Sequence, residues 1–162
     1  MDIVDINKEM LNLGVAKLKN AGVFDNVTTH LTDANNLTQF GDNLFDIYLI
    51  SFGLRNIPNY QKTIAESYRV LKPHGKIFAM ELSKIQSADF HRMFKLYSSA
   101  MSEVVFKNIS STFEQQKEYV EDTMDAFPSQ EELRAQFIKS GYKNVSYENL
   151  LNGVACIYQA NK

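Results

Sequence analysis

The residues able to do chemistry fall at the ends of apolar runs. "IYLISFGLRNIPN", residues 47–59, begins as a buried strand; after Ser51 come Phe52, Gly53, Leu54, Arg55 and Asn56. A strand-tip hydroxyl, a glycine two residues on and a guanidinium beyond it would suit a ligand-binding turn. They would equally suit a serine-capped turn followed by a solvated loop charge. Asp5 closes "DIVD", Asp33 follows "VTTHL", and Glu81 lies near the end of "KIFAMEL". In an open α/β sheet, ligands bind outside the carboxyl ends of the strands, where all four of these residues fall. Asp5 and Asp33 also have plainer roles, Asp5 as a helix N-cap and Asp33 as an Asx-turn in a polar loop. Of the histidines, His30 lies in a strand with a core or edge role, His74 in a solvated turn, and His91 at the start of a helix that could face a pocket. Cys156 sits among apolar residues of the last strand, a packing position. No His, Cys and carboxylate cluster has metal-ligand spacing, so no metal is expected.

The elements that must position these groups alternate along the chain. A short strand at 2–5 is followed by a helix over 7–22, with Met10, Leu11, Val15 and Leu18 on one side and Gly22 as its stop. A β-branched strand at 27–31, a polar loop at 32–43 and an apolar strand at 44–51 come next. A helix at 60–71 carries Ile64, Ala65, Tyr68 and Leu71; "KPHG" closes it, and 76–82 is a strand. Residues 89–125 read as largely helical, with Phe90, Met93, Phe94 and Tyr97 at helical spacing. "SQEE", residues 129–132, is a capping-box pattern opening a helix that ends at Gly141. Two antiparallel strands then flank Asn152-Gly153. This rhythm predicts an α/β fold with a mostly parallel sheet and antiparallel C-terminal strands. It reads as one domain over 1–162, with a helical cap inserted at about 86–127.

The bulk numbers narrow the function classes. A chain of 162 residues is enough for one domain burying roughly 68–70% of its unfolded surface. A net charge of −2 offers no basic footprint, so no nucleic-acid partner is expected. One cysteine makes no internal disulfide, which fits a reducing compartment. No apolar run approaches the ~20 residues of a membrane span, and "MDIVDINKEM" reads as neither a signal nor a transit peptide. The numerous Tyr and Phe residues follow helix and strand periods, which fits core packing better than base stacking.

"DNLFDIYLISFGLRNI" followed by "YRVLKPHGKIFAMELSK" resembles the ubiquinone/menaquinone biosynthesis C-methyltransferases of bacteria and their mitochondrial counterparts. "DINKEML" near the start, "FPSQEEL" and the closing "ENLLNGVACIYQANK" extend the resemblance over nearly the whole chain. "ISFGLRN" is its most specific part; "RVLKPHG" is shared in similar form by many class I methyltransferases. The resemblance implies a Rossmann-like class I methyltransferase that uses S-adenosylmethionine to methylate a ring carbon of a prenylated quinol. It implies that Asp5 holds the ribose hydroxyls, a task suited to a carboxylate that accepts from both. It sets Asp33 and Ala34 beside the adenine and Ser51 against the cofactor. Arg55 would face the substrate, where a permanent cation stabilises a phenolate without accepting its proton. Tyr97, beside Ser98, would belong to the cap over the pocket. Arg55 and Tyr97 are thus the catalytic candidates.

Departures from the family pattern carry expectations of their own. Family members begin with a strand and a glycine-rich loop whose N–H groups receive the methionyl end of the cofactor. Here the seven glycines contain no G-x-G. "KPHG" has His74 where a second glycine is usual, and "QKEYV" at 116–120 departs from the family's substrate-side segment. The fold expectation is therefore of an N-terminally truncated methyltransferase, its first strand and loop missing, with a partner chain or a homo-oligomer completing the sheet. The alternative to an enzyme is a non-catalytic fragment, or a scaffold subunit of a quinone-biosynthesis complex, that cannot hold the cofactor alone. The implied setting is cytoplasmic, peripheral to the inner membrane, or on the matrix side of a mitochondrion.

Overall fold

The computed structural model describes residues 1–85, 87, 89–90, 92–93, 96, 119–120 and 122–162. The expected helix positions Tyr97, Ser98 and His91, and most of the expected cap, lie outside the described residues. Strand β1 (Asp2–Asp5) leads into helix α1 (Lys8–Asn20) and strand β2 (Thr28–Leu31). Asn7, not Asp5, caps α1: its side chain accepts from the N–H groups of Glu9 and Met10. Strand β3 (Phe45–Ser51), a 3-10 turn (Leu54–Asn56), helix α2 (Tyr60–Val70) and strand β4 (Leu71–Leu82) follow. Helix α3 (Gln130–Lys139) and strands β5 (Lys143–Leu150) and β6 (Ala155–Asn161) complete the order. Ser129 and Glu132 form the expected capping box at the start of α3.

Among the described residues, the strands form two sheets. One holds β1 and β2 in parallel; the other runs β3-β4-β6-β5. β3 and β4 pair in parallel, whereas β6 is antiparallel to both β4 and β5. Among the described residues, parallel pairing is therefore confined to β1–β2 and β3–β4 and does not dominate the larger sheet. The physical reason is that β6 returns from β5 through a short connection and inserts between β5 and β4, so it must run against both. That connection is a 3-10 turn with Asn152 at φ 55°, a left-handed position that Asn tolerates better than most residues. β4 begins earlier than the expected residue 76. Its pairing with β3 jumps from Leu71 to Lys76, leaving "KPHG" as an irregular excursion in which His74 takes φ 68°.

The main core lies under the larger sheet. Ile77, Ala79, Tyr158, Ala160 and Cys156 point from β4 and β6 onto Leu133 and Phe137 of α3 and Ile64 of α2. Tyr142 shares a 2.8 Å hydrogen bond with the buried Ser67 hydroxyl and stacks edge-on to Tyr68. Gly141 sits at φ 102°, and a Cβ there would come 2.9 Å from the Tyr68 ring. Glycine at that helix end is thus needed both for backbone angle and for space. A smaller cluster of Leu37, Phe40 and Val70 joins the loop after β2 to the end of α2, with Val4, Phe45 and Tyr48 packed against it. Among the described residues, no helix is long and apolar enough to cross a membrane.

Candidate active site

The carboxyl ends of β1, β3 and β4, and the loop leaving β2, carry the residues singled out from the sequence. Asp5 ends β1, half-buried, and one carboxylate oxygen accepts the Asn7 N–H at 2.7 Å. Asp33 lies two residues beyond β2 and accepts the Asn35 N–H at 2.8 Å. Both are local Asx turns, which hold the carboxylate still while its second oxygen makes no other side-chain bond among the described residues. Parallel pairing sets Asp5 opposite Leu31, and the Thr32 N–H donates to the Asp5 carbonyl, so Asp5 and the approach to Asp33 share one end of the small sheet. Ala34 is half-buried in the same loop. That loop is pinned to α2: Thr63 donates to Asn35, and the Leu37 N–H donates to Glu66.

Ser51 ends β3 opposite Met80 and is exposed. The next residue, Phe52, takes φ 53°, and its N–H donates to the Met80 carbonyl at 2.8 Å. A non-glycine residue in the left-handed region is strained, and such strain gathers at functional turns. Gly53 has an ordinary φ of −106° but is cramped: a Cβ would meet the Ile50 side chain at 3.1 Å. The glycine two residues past the strand is there for space.

Arg55 is not a solvated loop charge. Its side chain is 6% exposed, and Nη1 donates to Glu81 Oε2 at 3.2 Å. Its Nε donates to the Thr123 hydroxyl at 2.9 Å, while Tyr119 donates to Asn56. Residues 119–120 and 122–126 are helical, so the described end of the expected cap docks directly on the turn carrying Arg55. Glu81 is buried at 1% exposure, and its Oε1 makes no hydrogen bond among the described residues. Burial pushes its carboxyl above the ordinary carboxylate range, against the Arg55 cation and the N–H groups of Leu54, Arg55 and Leu82.

Sequence reasoning placed Glu81 at a strand end but did not pair it with Arg55. A signal was available. In "KIFAMEL" the alternation puts Ile77, Ala79 and Glu81 on one face, and the first two are core residues. A carboxylate on the buried face of a strand requires a partner. His30 has an edge role as expected, bonded to Asp2 at 2.8 Å and edge-on to Phe40. Cys156 is fully buried. His74 is exposed. Among the described residues no group of His, Cys, Asp and Glu could hold a metal.

The donor set of the site is acidic at one end and cationic at the other. Asp5 and Asp33 offer carboxylate oxygens to hydroxyl or amine donors; Arg55 offers N–H groups to an anionic oxygen. Those carboxylates fit the ribose and adenine parts of S-adenosylmethionine. Among the described residues, no glycine-rich loop opens a helix of the kind that would receive its methionyl carboxylate.

The family model described as the ubiE/COQ5 methyltransferase family matches residues 1–162. A protein of Rickettsia felis named ubiquinone/menaquinone biosynthesis C-methyltransferase UbiE is 37% identical over 162 residues, covering all of this chain and 64% of its own length. The mitochondrial 2-methoxy-6-polyprenyl-1,4-benzoquinol methylase of Xenopus laevis is 34% identical over 160 residues, 99% of this chain and 51% of its own. The chain therefore spans less than two thirds of the length of these relatives. Among solved structures, a SAM-dependent methyltransferase of Aquifex aeolicus superposes with TM-score 0.66 at 16% identity, over 99% of this chain and 67% of its own. A phosphoethanolamine N-methyltransferase of Haemonchus contortus, in complex with S-adenosyl-L-methionine, superposes with TM-score 0.68 at 16% identity, over 99% and 43%. These two share the fold.

Proposed function

The chain belongs to the ubiE/COQ5 methyltransferase family, and on that premise we propose that it serves S-adenosylmethionine-dependent methylation of a ring carbon in a polyprenylated benzoquinol or naphthoquinol. The observation that carries this reading is the match to the family model over residues 1–162. The carboxylates and guanidinium at the strand ends agree with it. When bound, the cofactor supplies an electrophilic methyl group on a sulfonium. Asp5 accepts from the ribose hydroxyls, Asp33 and Ala34 border the adenine, and Ser51 meets the cofactor beside them. Arg55 donates to a quinol oxygen and stabilises the phenolate that makes the ring carbon nucleophilic. The polyprenyl tail of such a substrate implies peripheral contact with a membrane, cytoplasmic or on the mitochondrial matrix side.

A second reading is a non-catalytic subunit of a quinone-biosynthesis complex. One observation favours it: Asp5 and Asp33 ride on a sheet that is not hydrogen-bonded to the one carrying Ser51 and Arg55. On β3, at the edge of the larger sheet, Ile47 is 56% and Leu49 71% exposed, which suits a further strand from a partner chain or a second copy. Methyl transfer to a short-prenyl quinol, followed by mass spectrometry, separates the two readings. The enzymatic reading expects a product heavier by one methyl group on ring carbon. Absence of that product, with cofactor and quinol both supplied, leaves the subunit reading.

A further inference from the structure

Two charged side chains, Arg55 and Glu81, are buried together at the carboxyl end of β4, and a buried ion pair is by itself weak evidence of a stabilising role. Replacing a buried ion pair by apolar residues of similar volume is often neutral or stabilising, because desolvation offsets the attraction. Here Glu81 leaves the core-facing row of β4, after Ile77 and Ala79, at the position where β4 reaches its carboxyl end. Its Oε2 takes Arg55 Nη1 at 3.2 Å, and Thr123, from the segment docked above, takes Nε at 2.9 Å. Two of the three guanidinium nitrogens are thus held, from below and above. Nη2 has no hydrogen-bond partner among the described residues. A long, flexible arginine held at two points presents its third in one direction.

We infer that Glu81 is a positioning residue, holding the Arg55 guanidinium so that its remaining N–H groups meet the anionic oxygen of the ring substrate. This rests on the reading of Arg55 given above.

The test uses the full chain as wild type, Glu81→Gln, Glu81→Asp, Arg55→Lys and the double variant Arg55→Lys/Glu81→Gln. Methyl transfer is measured with S-adenosylmethionine and a short-prenyl quinol. Glu81→Gln is expected to lower kcat at least tenfold, with KM for the cofactor within twofold of wild type. The double variant is expected to be no slower than the slower single one, because both lesions remove one device. A full kcat in Glu81→Gln, or losses that multiply in the double variant, would overturn the inference. A full kcat in Arg55→Lys would instead overturn the substrate role of Arg55. In the same preparations, NMR reads hydrogen exchange at Arg55 Nε–H without any turnover. It should quicken at least tenfold in Glu81→Gln, and an unchanged rate would sink the positioning role even if no variant turned over. If Glu81→Gln does not fold, Glu81→Asp keeps the charge but withdraws it by one methylene. It should show the same split, lower kcat at unchanged cofactor KM, and wild-type kcat in Glu81→Asp would count against the proposal.

Discussion

β4 is hydrogen-bonded on both sides, by β3 and β6; Phe137 and Leu133 of α3 and Cys156 of β6 are fully buried in the core it shares. β1 pairs on one side only, and α1 beside it buries Leu11 alone. The residues of the proposed site are divided between these two standards of construction. Arg55 and Glu81 belong to the thickly packed sheet, while Asp5 and Asp33 ride on the thin one. Acceptors in tight local turns do not need a deep core, since an Asx turn holds the carboxylate through its own backbone. A buried arginine does need one, because its position is set by residues far apart in the chain.

The comparison can be broken most directly by cutting each core. Phe137→Ala should cost about 3–5 kcal/mol, against about 2 kcal/mol for Leu11→Ala, the low end for a leucine that is 9% exposed. Denaturant unfolding checks both, and equal losses would mean that the small sheet is as firmly built as the large one. Next in size is a loss of binding without a loss of fold. Asp5→Ala should weaken cofactor affinity by about 1.5–3 kcal/mol, the worth of hydrogen bonds to a charged group. Its melting temperature should stay near that of wild type, because Asn7 caps α1 without it. Calorimetric titration and a thermal scan read the two sides. Gly141→Ala should then cost about 1–2 kcal/mol by forcing φ 102° on a residue with a Cβ, with the Tyr68 ring adding to the loss. No such effect is expected at Gly14, where a Cβ meets nothing within 4 Å.

The smallest effect sharpens the link between the two regions. The Arg69 hydrogen bond, and the Leu37 N–H, hold the Glu66 carboxyl below its ordinary 4.5. Its folded value is lowered, so its contribution is present above about pH 4.5 and lost as pH falls through the lowered value. Glu81 has the opposite sign. Its folded value is raised by burial, so its contribution is present below 4.5 and is lost as pH rises through the raised value. Stability measured against pH should therefore flatten on the acid side in Glu66→Gln, by about 1 kcal/mol or less. In Glu81→Gln the change should run the other way.

Much of this was legible along the chain. β1, β2, β3, α1, α2 and α3 lie within a few residues of the spans that periodicity, Asn, Ser and Gly signals predict, because those signals act over a single turn or a few residues. The start of β4 was not legible. "LKPHG" looks like a helix ending, and only pairing of Leu71 with Phe45 draws it into the strand. Nor was the division into two sheets, since hydrogen bonding between strands depends on register across tens of residues.

By itself the sequence determined which segments are helix or strand, and which polar groups fall at strand ends. Alternation and 3.6-residue spacing express how a short peptide presents an apolar face, so they can be read without the rest of the molecule. It also determined the family, through runs such as "ISFGLRN". Only the tertiary structure decided what Arg55 is. Glu81 lies 26 residues away and Thr123 68 residues away, and neither has a local reason to meet it. They converge because β3 and β4 pair in parallel and because Tyr119 and Thr123 meet the turn at 54–56. A charge buried by that convergence must find its partner there or leave the interior, and that requirement arises only once the chain is folded.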